Sequence, residues 1–316
     1  MKVLVVGGTQ FVGRAIVETA YERGHDITLL HRGETEPSDL PAVEHLHADR
    51  LGDLSILADR EFDSVVDVCA YFPRHVTTLA DALGDRVRHY TFISTISAYP
   101  DTLANGATEM TPIRQPPFPD TESRAGENYG DLKAACESVV RQWFADRALI
   151  VRPGYVVGPY DVTDRYTSYA RRAALDDPLL MPGGPEDPMQ LIDVRDLAEF
   201  TVLRVEFRDT ETYVVVGVDT TFGEIANVTR EAAGTRPKVD WVAPEDMGDD
   251  KSGEVTEFPL WSPNPSGLLR FDATKAVNAG LTRRPLLDTT ADTLAWDVLR
   301  GCPPLKVSSP RRLRSS

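Results

Sequence analysis

The sequence predicts an α/β protein: a doubly wound parallel Rossmann sheet with a smaller C-terminal substrate domain. Three observations carry this. Short, continuous apolar runs such as KVLVVGG (2–8) end in glycine, the profile of strands buried on both faces. Amphipathic stretches such as RAIVETAYERG (14–24) alternate with them and read as helices. A glycine-rich loop, GGTQFVG (7–13), joins the first strand to the first helix, where such folds bind phosphate groups.

The elements follow in order. HDITLLHRG (25–33) is a second strand and VEHLHAD (43–49) a weaker third. FDSVVDVCAY (62–71) is a fourth, backed by a helix over VTTLADALG (76–84). HYTFISTISAY (89–99) is a fifth strand with its loop, LKAACESVVRQWFA (132–145) a helix, and ALIVRPGYVVGP (148–159) a sixth strand with its exit. LIDVRDLAEFTVLRV (191–205) reads as a strand turning into a helix, and TYVVVG (212–217) as a further strand. Residues 100–128 hold five prolines and no periodicity, which predicts a mobile flap over the substrate pocket. Residues 1–159 with about 191–217 are expected to form the nucleotide-binding domain. Residues 160–190 with about 218–306 should form the substrate domain, and 307–316 a frayed tail.

Composition narrows the function. A hydrophobic content of 41% supports a proper core, and no run approaches ~18 apolar residues, so no membrane span is expected. The N-terminus reads as a strand and not as a signal peptide. A net charge of −15 opposes nucleic-acid binding, because the chain would have to overcome its own field. Cys69, Cys136 and Cys302 are odd in number and widely spaced, which suggests neither disulfides nor a zinc site. The expectation is a cytoplasmic protein with a small-molecule substrate and no metal; a homodimer is compatible with the sequence.

The glycine loop points to a dinucleotide. Gly7 and Gly13 occupy the outer positions of a GxxGxxG spacing, and Gln10 stands in the middle. Thr9, Gln10, Phe11 and Val12 complete the loop that would meet the pyrophosphate. The second strand ends in LLHRG, with Arg32 and no acid. An arginine there suits a ribose 2′-phosphate, so NADP is favoured and NAD remains open, with His31 or Asp49 as readers of a free ribose. Asp49 ends the third strand, where it can accept a hydrogen bond from adenine, and Arg50 follows it among the expected cofactor contacts.

YGDLK (129–133) carries the chemistry. Tyr129 and Lys133 lie one helical turn apart and share a face. A free phenol titrates near ~10, and a neighbouring ammonium favours its anion, making it a usable acid–base group. An ordinary surface pair is the alternative, but lysine is rare here, with 34 basic residues and only six lysines. Ser94, Thr95 and Ser97 offer hydroxyls to orient a substrate oxygen.

GGTQFVG, ISTISAY, YGDLK and RPGYVVGP, in this order and at these distances, resemble the extended branch of the short-chain dehydrogenase/reductase superfamily, the NAD-dependent epimerase/dehydratase family. The resemblance covers roughly 1–217. It implies hydride transfer at a hydroxyl or carbonyl carbon, with Thr95 as the catalytic hydroxyl beside Tyr129 and Lys133. It also implies nicotinamide contacts within Arg152–Val156, notably Pro153 and Val156, and cofactor contacts at Ala70 and Tyr71. Gln10 and Pro100 depart from the family pattern, which loosens any carry-over from sugar-nucleotide epimerases.

Sugar nucleotides are the family's usual substrates, and Arg165, Arg171, Arg172 and Arg195 could meet a diphosphate. Trp261, within EFPLWSPNP (257–265), could instead wall an apolar pocket. A non-catalytic NADP sensor or RNA-binding protein on the same scaffold is the competing class.

Overall fold

The computed structural model describes residues 1–101, 103–115, 129–175, 178–247, 257–262 and 270–307. Its first half alternates strand and helix: β1 (Lys2–Val6), α1 (Phe11–Glu22), β2 (Asp26–His31), β3 (Glu44–His47), β4 (Ser64–Asp67), α2 (Pro73–Leu83), β5 (Tyr90–Ile93), α3 (Tyr129–Phe144) and β6 (Ala148–Pro153). The second half adds β7 (Tyr155–Val157), α4 (Arg165–Leu175), β8 (Leu179–Pro182), β9 (Pro188–Asp193), α5 (Val194–Glu206) and β10 (Thr212–Val215). β11 (Asp219–Thr221), α6 (Phe222–Ala233), β12 (Val239–Val242), α7 (Thr274–Asn278) and α8 (Leu286–Leu299) follow.

Seven strands form one parallel sheet in the order β10-β6-β5-β4-β1-β2-β3. The reason is visible in β1. Successive side chains of a strand point to opposite faces. Val3 and Val5 join Ile16 and Val17 of α1 and Leu197 of α5 in one core. Leu4 and Val6 join Leu79 of α2 and Val140 of α3 in the other. Both faces need apolar residues, so the run is continuous, as the sequence predicts.

A third cluster lies outside the main sheet, where Tyr166, Tyr169 and Phe222 pack with Leu179 and Met181. β11, β9 and β7 form a three-stranded sheet, and β12 pairs with β8. The stretch 191–217 therefore divides: β9 belongs to the small sheet, whereas α5 and β10 belong to the main layers.

Residues 103–115 depart from the expected flap. Ala107 bridges to Phe271, Glu109 Oε1 accepts the Val214 amide at 2.7 Å, and the Thr108 carbonyl accepts the Tyr99 hydroxyl at 2.9 Å. These bonds seal the edge strand β10, and none of 103–115 lines the cleft described below. The remainder of the expected flap, residues 116–128, lies outside the described residues, as does the tail from 308 onward. The three cysteines are unpaired, and no described helix is long and apolar enough to cross a membrane.

Gly130 sets how closely α3 approaches the turn after β5. A Cβ there would lie 2.1 Å from the Ser97 carbonyl oxygen, a backbone atom that cannot swing away. Gly130→Ala should therefore lower stability by about 1–3 kcal/mol, read as a reduced urea midpoint at unchanged slope. An unchanged midpoint would mean that α3 does not need this approach.

Candidate active site

The carboxyl ends of β1, β2, β4, β5 and β6 open into a cleft of about 1060 Å³. Its floor is the glycine loop. A Cβ on Gly13 would lie 2.1 Å from the Gly7 carbonyl, so this glycine allows α1 to pack against the loop. Gln10 caps α1 with an extended backbone (φ −138°), which any residue adopts. The glycine missing from the motif is not required at that position; the positive φ falls on Phe11, at 39°. Gln10 Nε2 donates to Thr35 Oγ1 at 3.3 Å, and Thr9, Phe11 and Val12 line the cleft beside it.

At the adenosine end, Arg32 is exposed and pairs with Glu34 at 2.7 Å. Asp49 lines the cleft and accepts the Leu51 amide at 2.9 Å. Arg50 also borders the cleft but is buried, and its guanidinium makes a bidentate bond to Asp67 at 2.8 and 2.6 Å. Burial pushes the Asp67 carboxyl up, yet the charge and hydrogen bonds of Arg50 and the Tyr90 hydroxyl outweigh it and hold Asp67 below its ordinary value. The structure thus engages Arg50 in an ion pair under the cleft floor.

At the opposite end stands α3. Lys133 is buried, and its Nζ donates to the carbonyls of Ala70 (3.0 Å) and Ile93 (2.6 Å). Ala70 acts through that carbonyl; its side chain does not line the cleft. The ammonium lies 4.2 Å from the centre of the Phe92 ring and 5.6 Å from that of Tyr71. Burial pushes its pKa down to about 8, with partial opposition from the negative charge of Asp67 and from nearby thiols. The rings of Tyr71 and Tyr129 are 6.4 Å apart, and both line the cleft.

The three candidate hydroxyls separate. Ser94 is buried and donates to Glu137 at 2.6 Å. Glu137 in turn takes both arms of Arg152, whose other nitrogen donates to Tyr99 Oη at 2.7 Å. Arg152 is therefore part of the support, while Pro153 and Val156 reach the cleft. Thr95 caps a 3₁₀ turn over Ile96–Ala98: its Oγ1 accepts the Ser97 amide at 3.1 Å and donates to Ser97 Oγ at 3.3 Å. Thr95 and Ser97 both line the cleft with Tyr129 and Lys133.

Of the arginines considered for a diphosphate, only Arg165 lines the cleft. Arg171 is held by Asp297, Arg195 by Asp193 and Asp292, and Arg172 packs over the Tyr169 ring. Trp261 donates to Asp187 at 2.9 Å, away from the cleft. The sequence reading missed His75, which lines the cleft and which burial, aided by the Arg50 charge, pushes down to about 4. It also missed a cluster of histidines beside the adenosine end. No short motif marks either one.

A model of the NAD dependent epimerase/dehydratase family matches residues 3–217. The chain belongs to that family. Among solved structures it is similar to a putative epimerase from Burkholderia cenocepacia (21% identity, 95% of this chain and 98% of that one, TM-score 0.73). It is also similar to a UDP-glucose 4-epimerase from Stenotrophomonas maltophila with bound NAD (18%, 96% and 100%, TM-score 0.75). At these identities the likeness is one of fold. A curated relative is the chloroplast stem-loop binding protein of 41 kDa b of Arabidopsis thaliana, 25% identical over 252 residues. The match takes in 74% of this chain but only 63% of the length of that relative.

Lys133 links the site to pH. Its value lies below the ordinary 10.5, so the unfolded chain holds this proton more tightly. The destabilisation is constant below about pH 8 and fades as pH rises from there toward 10.5. In the folded protein the ammonium is lost around pH 8. Affinity for a nicotinamide dinucleotide should be flat below about pH 8 and weaken above it, measured by fluorescence titration across pH. A flat affinity to pH 10 would contradict a titrating Lys133 at the binding surface.

Proposed function

We propose that the protein is an enzyme that transfers hydride between a nicotinamide cofactor and a hydroxyl or carbonyl carbon of a small substrate, as a reductase, dehydrogenase, epimerase or dehydratase. The observation that carries this reading is the meeting of Thr95, Tyr129 and the enclosed Lys133 in one cleft with the glycine loop. The glycine loop and the N-terminus of α1 fit a pyrophosphate. Arg32 would hold a 2′-phosphate, Asp49 the adenine, and Pro153 and Val156 would flank the nicotinamide. When bound, the nicotinamide supplies or accepts the hydride.

The protein's own residues handle the proton. Tyr129 gives or takes it at the substrate oxygen. Lys133 favours the phenolate by its charge, and an ammonium with two of three donors engaged has one for a ribose hydroxyl. Thr95 Oγ1, fixed by its turn, orients the same oxygen. A nucleotide-sugar diphosphate would find Arg165 at the cleft; the substrate is a sugar nucleotide or a small metabolite of similar chemistry. α4, α6 and α8 with the small sheets serve as the substrate domain, and the protein works in the cytoplasm.

RNA binding is the second reading, favoured by the likeness to the Arabidopsis protein, which is a stem-loop binding protein by name. The net charge of −15 opposes it, and RNA binding gives no reason for Lys133 to be buried beside Tyr129. Turnover that depends on Tyr129 separates the two readings.

Two experiments test the enzyme reading. NADPH should bind more tightly than NADH, and Arg32→Ala should erase the difference. Glu34→Gln should enlarge it, because Glu34 now occupies the guanidinium. Calorimetry with both nucleotides reads this; equal affinities in the parent would refute the contact between Arg32 and a 2′-phosphate. In the second, Tyr129→Phe should abolish turnover and leave cofactor affinity nearly intact, whereas Lys133→Arg should impair both. Spectrophotometric assay at NADPH absorbance against a panel of carbonyl compounds provides the readout. A fully active Lys133→Arg enzyme would remove the lysine from the mechanism.

A further inference from the structure

The outer edge of the main sheet carries a cluster that the nucleotide cleft does not require. His45 and His47 are two residues apart on β3, so their side chains share a face. β3 pairs in parallel with β2, and the register sets His31 opposite His47. Three imidazoles therefore meet, with ring centroids 5.0 Å (31–45), 4.9 Å (31–47) and 6.4 Å (45–47) apart. Glu36, from the β2–β3 connection, closes the group. Its Oε1 contacts His47 Nε2 and lies 3.7 Å from His31 Nε2 and 4.0 Å from His45 Nδ1. His31 Nε2 and His45 Nδ1 are 2.9 Å apart. All four atoms fall within 4.8 Å of one another. The chain has only six histidines, and half of them converge here, which a randomly filled strand edge would not produce.

Three imidazole nitrogens and one carboxylate oxygen form a donor set for a borderline divalent ion. Calcium and magnesium prefer all-oxygen shells and fit poorly. Around a tetrahedral zinc ion with bonds of ~2.05 Å the ligand atoms sit roughly 3.4 Å apart. That spacing lies inside the range of separations seen here, so side-chain adjustment is enough and the strands need not move. His31 Nδ1 accepts the Gly33 amide at 3.1 Å, so the neutral ring carries its proton on Nε2 and shares it with His45. An ion taking Nε2 moves the ring proton to Nδ1, so the Gly33 amide must give up its bond to His31 when the ion binds.

We propose that His31, Glu36, His45 and His47 form a site for one divalent transition-metal ion of the zinc type, which pins the β2–β3 connection to the sheet edge beside Arg32. The proposal is independent of the hydride-transfer reading, because occupancy is measured without cofactor or substrate.

The test uses untagged, chelator-stripped protein, titrated with Co²⁺ by visible absorption and with Zn²⁺ by calorimetry. One ion per chain is expected, with four-coordinate cobalt d–d bands and no thiolate-to-cobalt absorption. His47 and Glu36 are substantially exposed, so His47→Ala and Glu36→Gln should keep the fold, checked by circular dichroism. Each should weaken binding by more than the roughly 10–100-fold cost of losing an outer-shell partner. His25→Gln, outside the cluster, should bind as the parent does. No stoichiometric binding, a thiolate band, or parent-like affinity in His47→Ala and Glu36→Gln would overturn the site.

Discussion

The α3 end of the cleft depends on one buried cation. Lys133 has almost no exposed surface, and stripping water from an ammonium is costly. The cost is offset locally. Two carbonyls accept its protons, one at the end of β5 and one in the loop after β4, and the Phe92 ring offers its face. Asp67 adds a negative field from below, itself held by Arg50 and Tyr90. The helix α3 is thereby tied to two strand ends at once, and Tyr129, one turn before, has its place set by the same tie. Gly130 permits the approach and Lys133 fixes it.

The same arrangement explains why this position is a lysine in a chain with six lysines among 34 basic residues. Three other buried cations face carboxylates: Arg14 faces Asp39, Arg50 faces Asp67, and Arg152 faces Glu137, while Arg172 lies over the Tyr169 ring. A planar guanidinium matches a carboxylate with two parallel bonds. Lys133 instead faces two separate carbonyl oxygens from different segments. That geometry suits a compact point charge on a flexible stem, and a flat fork could not serve both oxygens and still leave a donor toward the cleft.

Most of the sheet was legible because its signal is local. β1, β2, β4, β5 and β6 are apolar runs that need no partner to be recognised, and GGTQFVG joins two such elements at the chain start. Thr95, Tyr129 and Lys133 were picked out by spacing and resemblance, and the structure brings all three to one cleft. What stayed hidden depends on tertiary pairing. Arg50 looks like a loop cation until Asp67, on a different strand, is set beneath it. Arg171 and Arg195 look free for a substrate until Asp297 and Asp292 of α8 fold back onto them. Proline content suggested mobility for the whole of 100–128, but Glu109 shows that an aperiodic segment can be a fixed strand cover. The histidine group depends on the β2–β3 register, which no single run of sequence encodes.

The two ends of the cleft are built with different rigidity, and this divides their roles. The α3 end is made of enclosed groups, Lys133 among them, whose partners are backbone carbonyls and buried charges. Any change there disturbs several bonds at once, which suits chemistry that tolerates little displacement. At the β2 end, by contrast, Arg50 is held by Asp67, while Arg32 and Glu34 nearby are both exposed and pair with each other. Their pairing is weak, screened by salt and easily exchanged for a phosphate. The exposed pair can therefore be exchanged without disturbing the anchorage of Lys133, and the two ends of the cleft are physically separable.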